Sequence, residues 1–115
     1  MHIANLNKAE KTIPNMQGAS GVSKQVPISK ANGTPAFSVR VFTIEPGGHT
    51  PFHSHPFEHL NYIIDGEGVL VGKDKDNPIK VGDFALVMPN EMHQFKNTSK
   101  NKKLVLMCAV PKEFE

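Results

Sequence analysis

The residues best suited to chemistry are histidines, four of which fall in the stretch HTPFHSHPFEHL. Histidine is the commonest metal ligand in proteins. His53 and His55 are separated by one residue, so both imidazoles share a face if the segment is extended. His59 follows Pro56, which bends or ends the strand, and His93 comes after the turn MPNEM. The spacing predicts three clustered ligands completed by one from a distant strand, against the alternative of solvated surface imidazoles.

Size and composition limit the classes of protein to consider. The chain has 115 residues, 38% hydrophobic and 21% charged, which is typical of one globular domain. The net charge is only +2, and the basic stretch KNTSKNKK is expected to be a solvated loop, so we expect no nucleic-acid partner. The longest apolar run, LVLMCAV, is too short to span a membrane.

Cysteine usage and the first residues bear on location. Cys108 is the single cysteine, so no internal disulfide can form and a reducing compartment fits. The opening segment MHIANLNKAEKTIPN lacks the apolar core of a signal peptide. We therefore expect a cytoplasmic protein.

Short β-rich runs separated by glycine and proline predict an all-β sandwich or barrel. No stretch after residue 20 has a convincing 3.6-residue apolar period, so we expect little helix. Asp65-Gly66 is a hairpin signal, because glycine tolerates a positive φ. The predicted strands are 36–44, 59–65, 68–72, 84–88, 93–97 and 104–110, and the predicted turns are 45–48, 65–68, 73–78 and 89–91.

Residues 1–32 differ from the rest in being polar with scattered apolar positions. We interpret them as an arm with one or two edge strands around Ser23–Ile28, which could cover an exposed sheet edge. Residues 33–115 are expected to form the barrel itself.

Two groups of residues resemble the cupin motifs. The first matches in every spacing, and the second has its proline one position late and Glu91 where a glycine is usual. The resemblance implies a double-stranded β-helix, the compact cupin jelly-roll barrel, which is commonly a homodimer. The first group is Gly47, His53, His55, His59 and Gly66; the second is Gly82, Pro89, His93 and Asn97.

One position departs from the common cupin pattern. Where most cupins have a glutamate ligand, this chain has His59, preceded by Glu58. The register makes His59 the fourth ligand, which resembles the subgroup of small cupins with an all-histidine site. The alternative is that Glu58 faces inward and His59 outward, because neighbouring strand residues face opposite ways. His49 fits neither motif and is expected to be a solvated loop residue.

Four neutral imidazoles would leave the full charge on a divalent ion, making a strong Lewis acid. A six-coordinate ion would keep two adjacent positions for water, dioxygen or a bidentate substrate. The resemblance implies manganese or iron, with nickel, copper or zinc as alternatives. Candidate pocket residues around the ion are Phe95, Leu106, Cys108, Arg40 and Phe52. Arg40 is the one internal cation that is a candidate for holding an anionic substrate, and the alternative is that its side chain faces the surface.

These features favour a metal-dependent oxidoreductase of dioxygenase type that acts on a small organic molecule. The alternatives are a non-catalytic module that binds a small ligand or metal, and a cupin isomerase or lyase. Because a small barrel gains from burying its outer sheet and edges, we also expect a homodimer.

Overall fold

The computed structural model describes residues 1–115 and is built almost entirely from β-strands, as the sequence predicts. Two 3₁₀ turns, Lys30–Asn32 and Lys112–Phe114, are its helical elements. No helix of the chain has the length and apolar character needed to cross a membrane. The strands are β1 (Ser20–Ile28), β2 (Phe37–His49), β3 (His59–Asp65), β4 (Glu67–Gly72), β5 (Asp76–Lys80), β6 (Phe84–Val87), β7 (His93–Lys96) and β8 (Leu104–Pro111).

The strands form one curled sheet in the order β5-β4-β7-β2-β8-β3-β6, with β1 paired to β2. All of these pairings are antiparallel, and most join strands that are far apart in the sequence. Strand β8 lies between β2 and β3, where it alternates strictly between buried and half-buried residues. That alternation directs one face of β8 into the barrel and the other outward.

Two predicted turns are wrong. The expected turn at 45–48 lies inside β2, because β1 pairs with this segment from one side and Asn97 exchanges backbone hydrogen bonds with Gly47 and Gly48 from the other. The expected turn at 73–78 is shorter, since β5 begins at Asp76. A Cβ atom on Gly48 would lie 2.6 Å from the Ser20 carbonyl oxygen, so this close approach requires glycine.

The predicted hairpin at Asp65-Gly66 is also wrong. Gly66 has the expected positive φ of 83°, but β3 pairs with β6 and β8 while β4 pairs with β5 and β7. The turn therefore carries the chain from one part of the sheet to another. A Cβ on Gly66 would meet the Lys103 carbonyl oxygen at 2.2 Å, so the glycine also makes room for the start of β8.

The first residues of the chain contribute an edge strand. Strand β1 begins at Ser20, three residues before the expected start at Ser23, and runs antiparallel to β2 with two register irregularities. Farther out, Thr12 forms an isolated bridge with Lys24, and Gln25 donates from its side chain to the carbonyl of Leu6 at 2.7 Å. These contacts hold the segment before β1 against the barrel.

One contiguous apolar core fills the barrel. Ile44, Leu104 and Val110 are completely buried within it, and Leu106 and Cys108 are nearly so. Both Leu106 and Cys108 also face a cavity. The core therefore forms the base on which the cavity and its polar side chains are supported.

Candidate metal centre

Alternation of the backbone directs the clustered histidines inward. From Pro51 to Leu60 every odd-numbered residue is buried or half-buried and every even-numbered residue is exposed. His53, His55 and His59 fall on the inner set, as expected for extended backbone. Glu58 falls on the exposed set, so it is His59 and not Glu58 that faces the cavity.

His93, at the start of β7, is tied directly to this segment. It forms a β-bridge with His53 in which each backbone N–H donates to the other's carbonyl, at 3.1 and 2.9 Å. The bridge sets both imidazoles side by side, with ring centroids 4.8 Å apart. Residues forty positions apart in the chain are thus fixed to each other through the backbone.

The four imidazoles meet at one place. The ligating nitrogens of His53, His55 and His93 all lie within 4.8 Å of one another. His59 joins them through its Nε2 atom, which lies 3.1 Å from Nε2 of His93. His59 and His93 are both buried, with 3% and 5% of their surface exposed. The arrangement brings all four predicted histidines together.

Hydrogen bonds behind the rings orient their nitrogens. Nδ1 of His55 lies 2.8 Å from the carbonyl oxygen of Phe57, and Nδ1 of His93 lies 2.8 Å from that of Glu91. A carbonyl oxygen only accepts, so each Nδ1 carries the proton and each Nε2 presents a lone pair. Metal-binding histidines are oriented in this way by their outer hydrogen-bond partners.

Asn61 performs the same task for His59 and can do so in two ways. Its amide oxygen lies 3.1 Å from Nδ1 of His59, and its amide nitrogen lies 2.8 Å from the same atom. The side chain is 2% exposed, and its nitrogen also contacts the carbonyl of Ala85 at 3.4 Å. Asn61 can therefore partner either neutral tautomer of His59.

The donor set fits a divalent transition metal. Two imidazole nitrogens bound to one ion at about 2.1 Å and a right angle would lie about 3.0 Å apart, close to the 3.1 Å between Nε2 of His59 and Nε2 of His93. Nε2 of His93 carries a lone pair, and an ion bound to it and to Nε2 of His59 would give that buried lone pair a partner. Imidazole suits zinc, copper, iron and nickel, and the set alone does not select among metals.

The electrostatics of the cluster favour neutral rings. Burial lowers the pKa of His59 from 6.5 to about 3, and the charges of His93, His55 and Arg40 act in the same direction. Burial is also the largest cause of the lowered pKa of His53, His55 and His93. Because a metal binds the deprotonated ring, lowered pKa values keep the ligands available near neutral pH.

The rings open into a small cavity of about 130 Å³. Its wall is mostly apolar and contains no aspartate or glutamate. Four of the five predicted pocket residues line it, namely Arg40, Phe95, Leu106 and Cys108; the full lining also has the four histidines with Met16, Phe42, Thr50, Pro51, Phe57 and Asn61.

Phe52 is the predicted pocket residue that the structure places elsewhere. Its side chain is 48% exposed and is not part of the cavity wall. The reason is the same alternation that turns His53 inward, because Phe52 precedes it and must face outward. His49 ends β2 and is half-buried, and it lies outside the cavity.

Sequence reasoning missed several contacts made by residues of the cavity wall. The rings of His55 and Phe57 stack with centroids 3.8 Å apart, and Phe57 stacks in turn on Phe114 at 3.9 Å. Glu115 contacts both Arg40 and Lys24. The spacing of residues in the sequence does not predict these contacts. Alternation that starts from His59 does predict that Asn61 faces inward.

The family model for the Cupin domain matches residues 40–110, which contain both histidine motifs and most of the cavity wall. This chain is a cupin. The fold class and the resemblance predicted from the sequence are therefore confirmed.

Individual relatives agree with this assignment. The cupin is 34% identical over 97 residues to the "Oxalate-binding protein" of Thermotoga maritima, covering 75% of this chain and 74% of that protein. A solved structure from the same organism, described as a predicted oxalate decarboxylase, has a TM-score of 0.83 and 28% identity, covering 96% of this chain and 98% of that one. The polyketide cyclase RemF of Streptomyces resistomycificus has a TM-score of 0.91 at 24% identity, covering 96% and 79%, and shows the shared fold.

Proposed function

We propose that this cupin holds one divalent transition metal ion through His53, His55, His59 and His93. The support is the convergence of four inward-facing imidazoles, two of them with Nε2 lone pairs fixed by hydrogen bonds from Nδ1. Manganese or iron is the favoured ion, with nickel, copper or zinc as alternatives. When bound, the ion would supply a Lewis-acid and redox centre that no ligand carboxylate neutralises.

We further propose that the cupin is a metal-dependent oxidoreductase of dioxygenase type acting on a small organic molecule. The cavity supports a small substrate, because its volume of about 130 Å³ is close to the roughly 150 Å³ of an apolar cavity that binds benzene. Phe95, Leu106 and Phe42 would exclude water around it, and Asn61 would hold the orientation of His59. The observation that carries this proposal is the position of the four-imidazole cluster on the wall of a small apolar cavity.

Turnover tests this proposal. The metal-loaded protein should consume dioxygen or peroxide with one of a panel of small alkenyl, aromatic, diketone or carboxylate compounds, while His53→Ala should not. Ser54→Ala is the matched control, since Ser54 is exposed on the opposite face of the same segment. Equal rates in wild type and His53→Ala would exclude the metal centre from the reaction.

Binding without turnover is the second candidate, and one relative favours it. The Thermotoga protein with 34% identity is named for binding oxalate rather than for a reaction. A protein of this second kind would bind the same small anions with one-site stoichiometry and release them unchanged. Product analysis after prolonged incubation with dioxygen distinguishes the candidates, because only the enzyme would alter the compound.

We also propose that the cupin is a homodimer formed through the outer face of β3 and β6. Six large apolar or aromatic residues face outward there, and the register places Leu60 opposite Leu86 and Tyr62 opposite Phe84. Strand β6 ends the order of the sheet, so its outer backbone edge has no strand partner. A second copy fits best, because two β6 edges related by a two-fold axis satisfy each other. The outer face consists of Leu60, Tyr62, Ile64, Phe84, Leu86 and Met88.

Two further expectations stay proposals. The single buried cysteine is consistent with a cytoplasmic location. The division into an arm at 1–32 and a barrel at 33–115 assigns β1 to the arm even though it pairs with β2. Removing residues 1–19 and measuring the melting temperature would show how far the barrel depends on the arm.

A further inference from the structure

Arg40 is a mostly buried cation in the wall of the cavity. Its side chain is 15% exposed, and its guanidinium lies 5.2 Å from the ring centroid of Phe42, which lines the same cavity. Burying a cation is costly unless it is paired and hydrogen-bonded. The position of this cation on a mostly apolar wall therefore needs a functional explanation.

The hydrogen-bonding capacity of Arg40 is mostly unused. Its buried Nε atom has no partner, and Nη1 donates to Oε1 of Glu115 over a long 3.4 Å. A guanidinium can bind a carboxylate through two parallel N–H donors, which is its strongest arrangement. Glu115 makes no such two-point contact with Arg40. Arg40 is therefore able to accept a better-placed carboxylate.

Glu115 is also held by a second cation. Both of its carboxylate oxygens accept from Nζ of Lys24, at 3.1 and 3.2 Å. Glu115 does not line the cavity, so it contacts Arg40 from beyond the cavity wall. Lys24 gives this carboxylate a closer partner than Arg40 does, and Glu115 can stay paired when Arg40 takes up another anion.

The charge of the cavity also calls for an anion. Its lining contains Arg40 and four histidines but no acidic residue, and the proposed ion would add two further positive charges. One monoanion would leave this group with excess positive charge. A molecule with two anionic ends, one toward the histidines and one toward Arg40, would neutralise most of it.

We infer that Arg40 determines the specificity of this cupin for short dicarboxylates, small molecules that have a carboxylate at each end. The inference rests on the proposed metal site and names the substrate class for it. Arg40 binds the carboxylate end that faces away from the histidines. Glu115 is the counterion of Arg40 in the absence of this ligand and competes weakly with it.

The test is calorimetric titration of the Mn²⁺-loaded protein with oxalate, with oxamide as the uncharged analogue and acetate as the one-ended one. Oxalate should bind at one site per chain, and oxamide and acetate at least 10-fold more weakly. Arg40→Gln should weaken oxalate binding about 10- to 100-fold, as expected for losing a charge-assisted pair. Arg40→Lys keeps the charge but not the two-point geometry, so its affinity for oxalate should lie between those of the wild type and Arg40→Gln.

Measuring the metal content after each titration separates this inference from the proposed function. Arg40→Gln should retain its manganese, because Arg40 is not a ligand. Unchanged oxalate affinity in metal-loaded Arg40→Gln would overturn the inference and leave the metal site standing. Failure of the wild type to hold manganese or any of the other named metals would overturn the proposed function itself. Arg40→Lys provides the same comparison if Arg40→Gln does not fold.

Glu115→Gln tests the competing counterion. Removing this carboxylate should tighten oxalate binding about 2- to 5-fold, within the range expected for one solvent-screened ion pair. Glu113→Gln is the matched control, because Glu113 is exposed in the same segment and should change affinity less than twofold. The Glu115→Gln effect should disappear in the Arg40→Gln background. Unchanged or weakened binding in Glu115→Gln would contradict the competition.

Discussion

The two faces of strand β3 contrast in which kinds of side chain they bury and expose. Its inner face has His59 and Asn61, which are polar yet almost fully buried, whereas its outer face has Leu60, which is apolar yet 50% exposed. Buried polar groups and exposed apolar patches are the informative exceptions to hydrophobic burial. Both exceptions lie on one strand, and each supports one of the two proposed binding surfaces, the inner one for a metal ion and its ligand and the outer one for a second copy of the chain.

Removing the metal should have the largest effect on the inner face. An ion present at 1,000 times its dissociation constant stabilises the folded chain by about 4 kcal/mol. Chelation should therefore lower the melting temperature of the manganese-loaded protein by at least about 10 °C, as followed by circular dichroism. His93→Ala should show no such difference between chelated and loaded samples. If chelation left the melting temperature of the wild type unchanged, the ion would not stabilise the fold.

A charge placed on the outer face should have the next largest effect. Leu86→Lys would put a lysine at the proposed interface once in each copy and should raise the dimer dissociation constant at least about 100-fold. Light scattering at micromolar concentration should then find monomer. Ile13→Lys is the control, because Ile13 is 81% exposed and lies outside this face. Monomeric wild type would refute the interface, and metal content should be equal in all three proteins.

Substitutions of Asn61 test whether the buried polar residues of the inner face orient a metal ligand. Asn61→Ala would remove the partner of Nδ1 of His59 and should weaken metal affinity about 10-fold, measured by competition with a chromophoric chelator. Asn61→Asp restores an acceptor for that nitrogen and should retain most of the affinity. If Asn61→Ala and the wild type bind equally well, Asn61 has only a packing role.

The pH dependence of the metal-free protein tests the burial of the inner face. Burial lowers the pKa of folded His59 to about 3, whereas the unfolded chain titrates near 6.5. Between these values the unfolded state binds more protons, so stability is greatest above pH 6.5 and falls as the pH drops. Urea unfolding of chelated protein should lose about 2 kcal/mol from pH 7.5 to pH 5, and less in His59→Gln. Equal losses in both proteins would contradict the burial of His59.

The inner face could be predicted from the sequence where alternation and motif spacing agreed. His53, His55 and His59 share one face by simple period-two geometry, and the cupin spacing added His93. Phe52 was wrongly placed because its proximity to the ligands outweighed the same alternation, which turns it outward. Strand β5 was missed since its residues, DNPIK, look like a continued polar turn, and its pairing with β4 decides its conformation.

Apart from the approach of His93, contacts between distant parts of the chain could not be predicted. Asp65-Gly66 has the chemistry of a hairpin, but which strands pair depends on the whole sheet. Glu115 reaches Arg40 across 75 positions, and no local pattern records that approach. The exposed apolar outer face of β3 and β6 could not be predicted either, because the same alternating residues would suit a strand packed against a core.

The central claim is that four histidines bind one ion, and elemental analysis tests it most directly. Protein purified without an affinity tag, incubated with Mn²⁺ and then dialysed, should contain about one ion per chain. His93→Ala with an unchanged circular dichroism spectrum should contain less than about 0.1. Equal metal content in the two proteins, or none in the wild type, would contradict the claim.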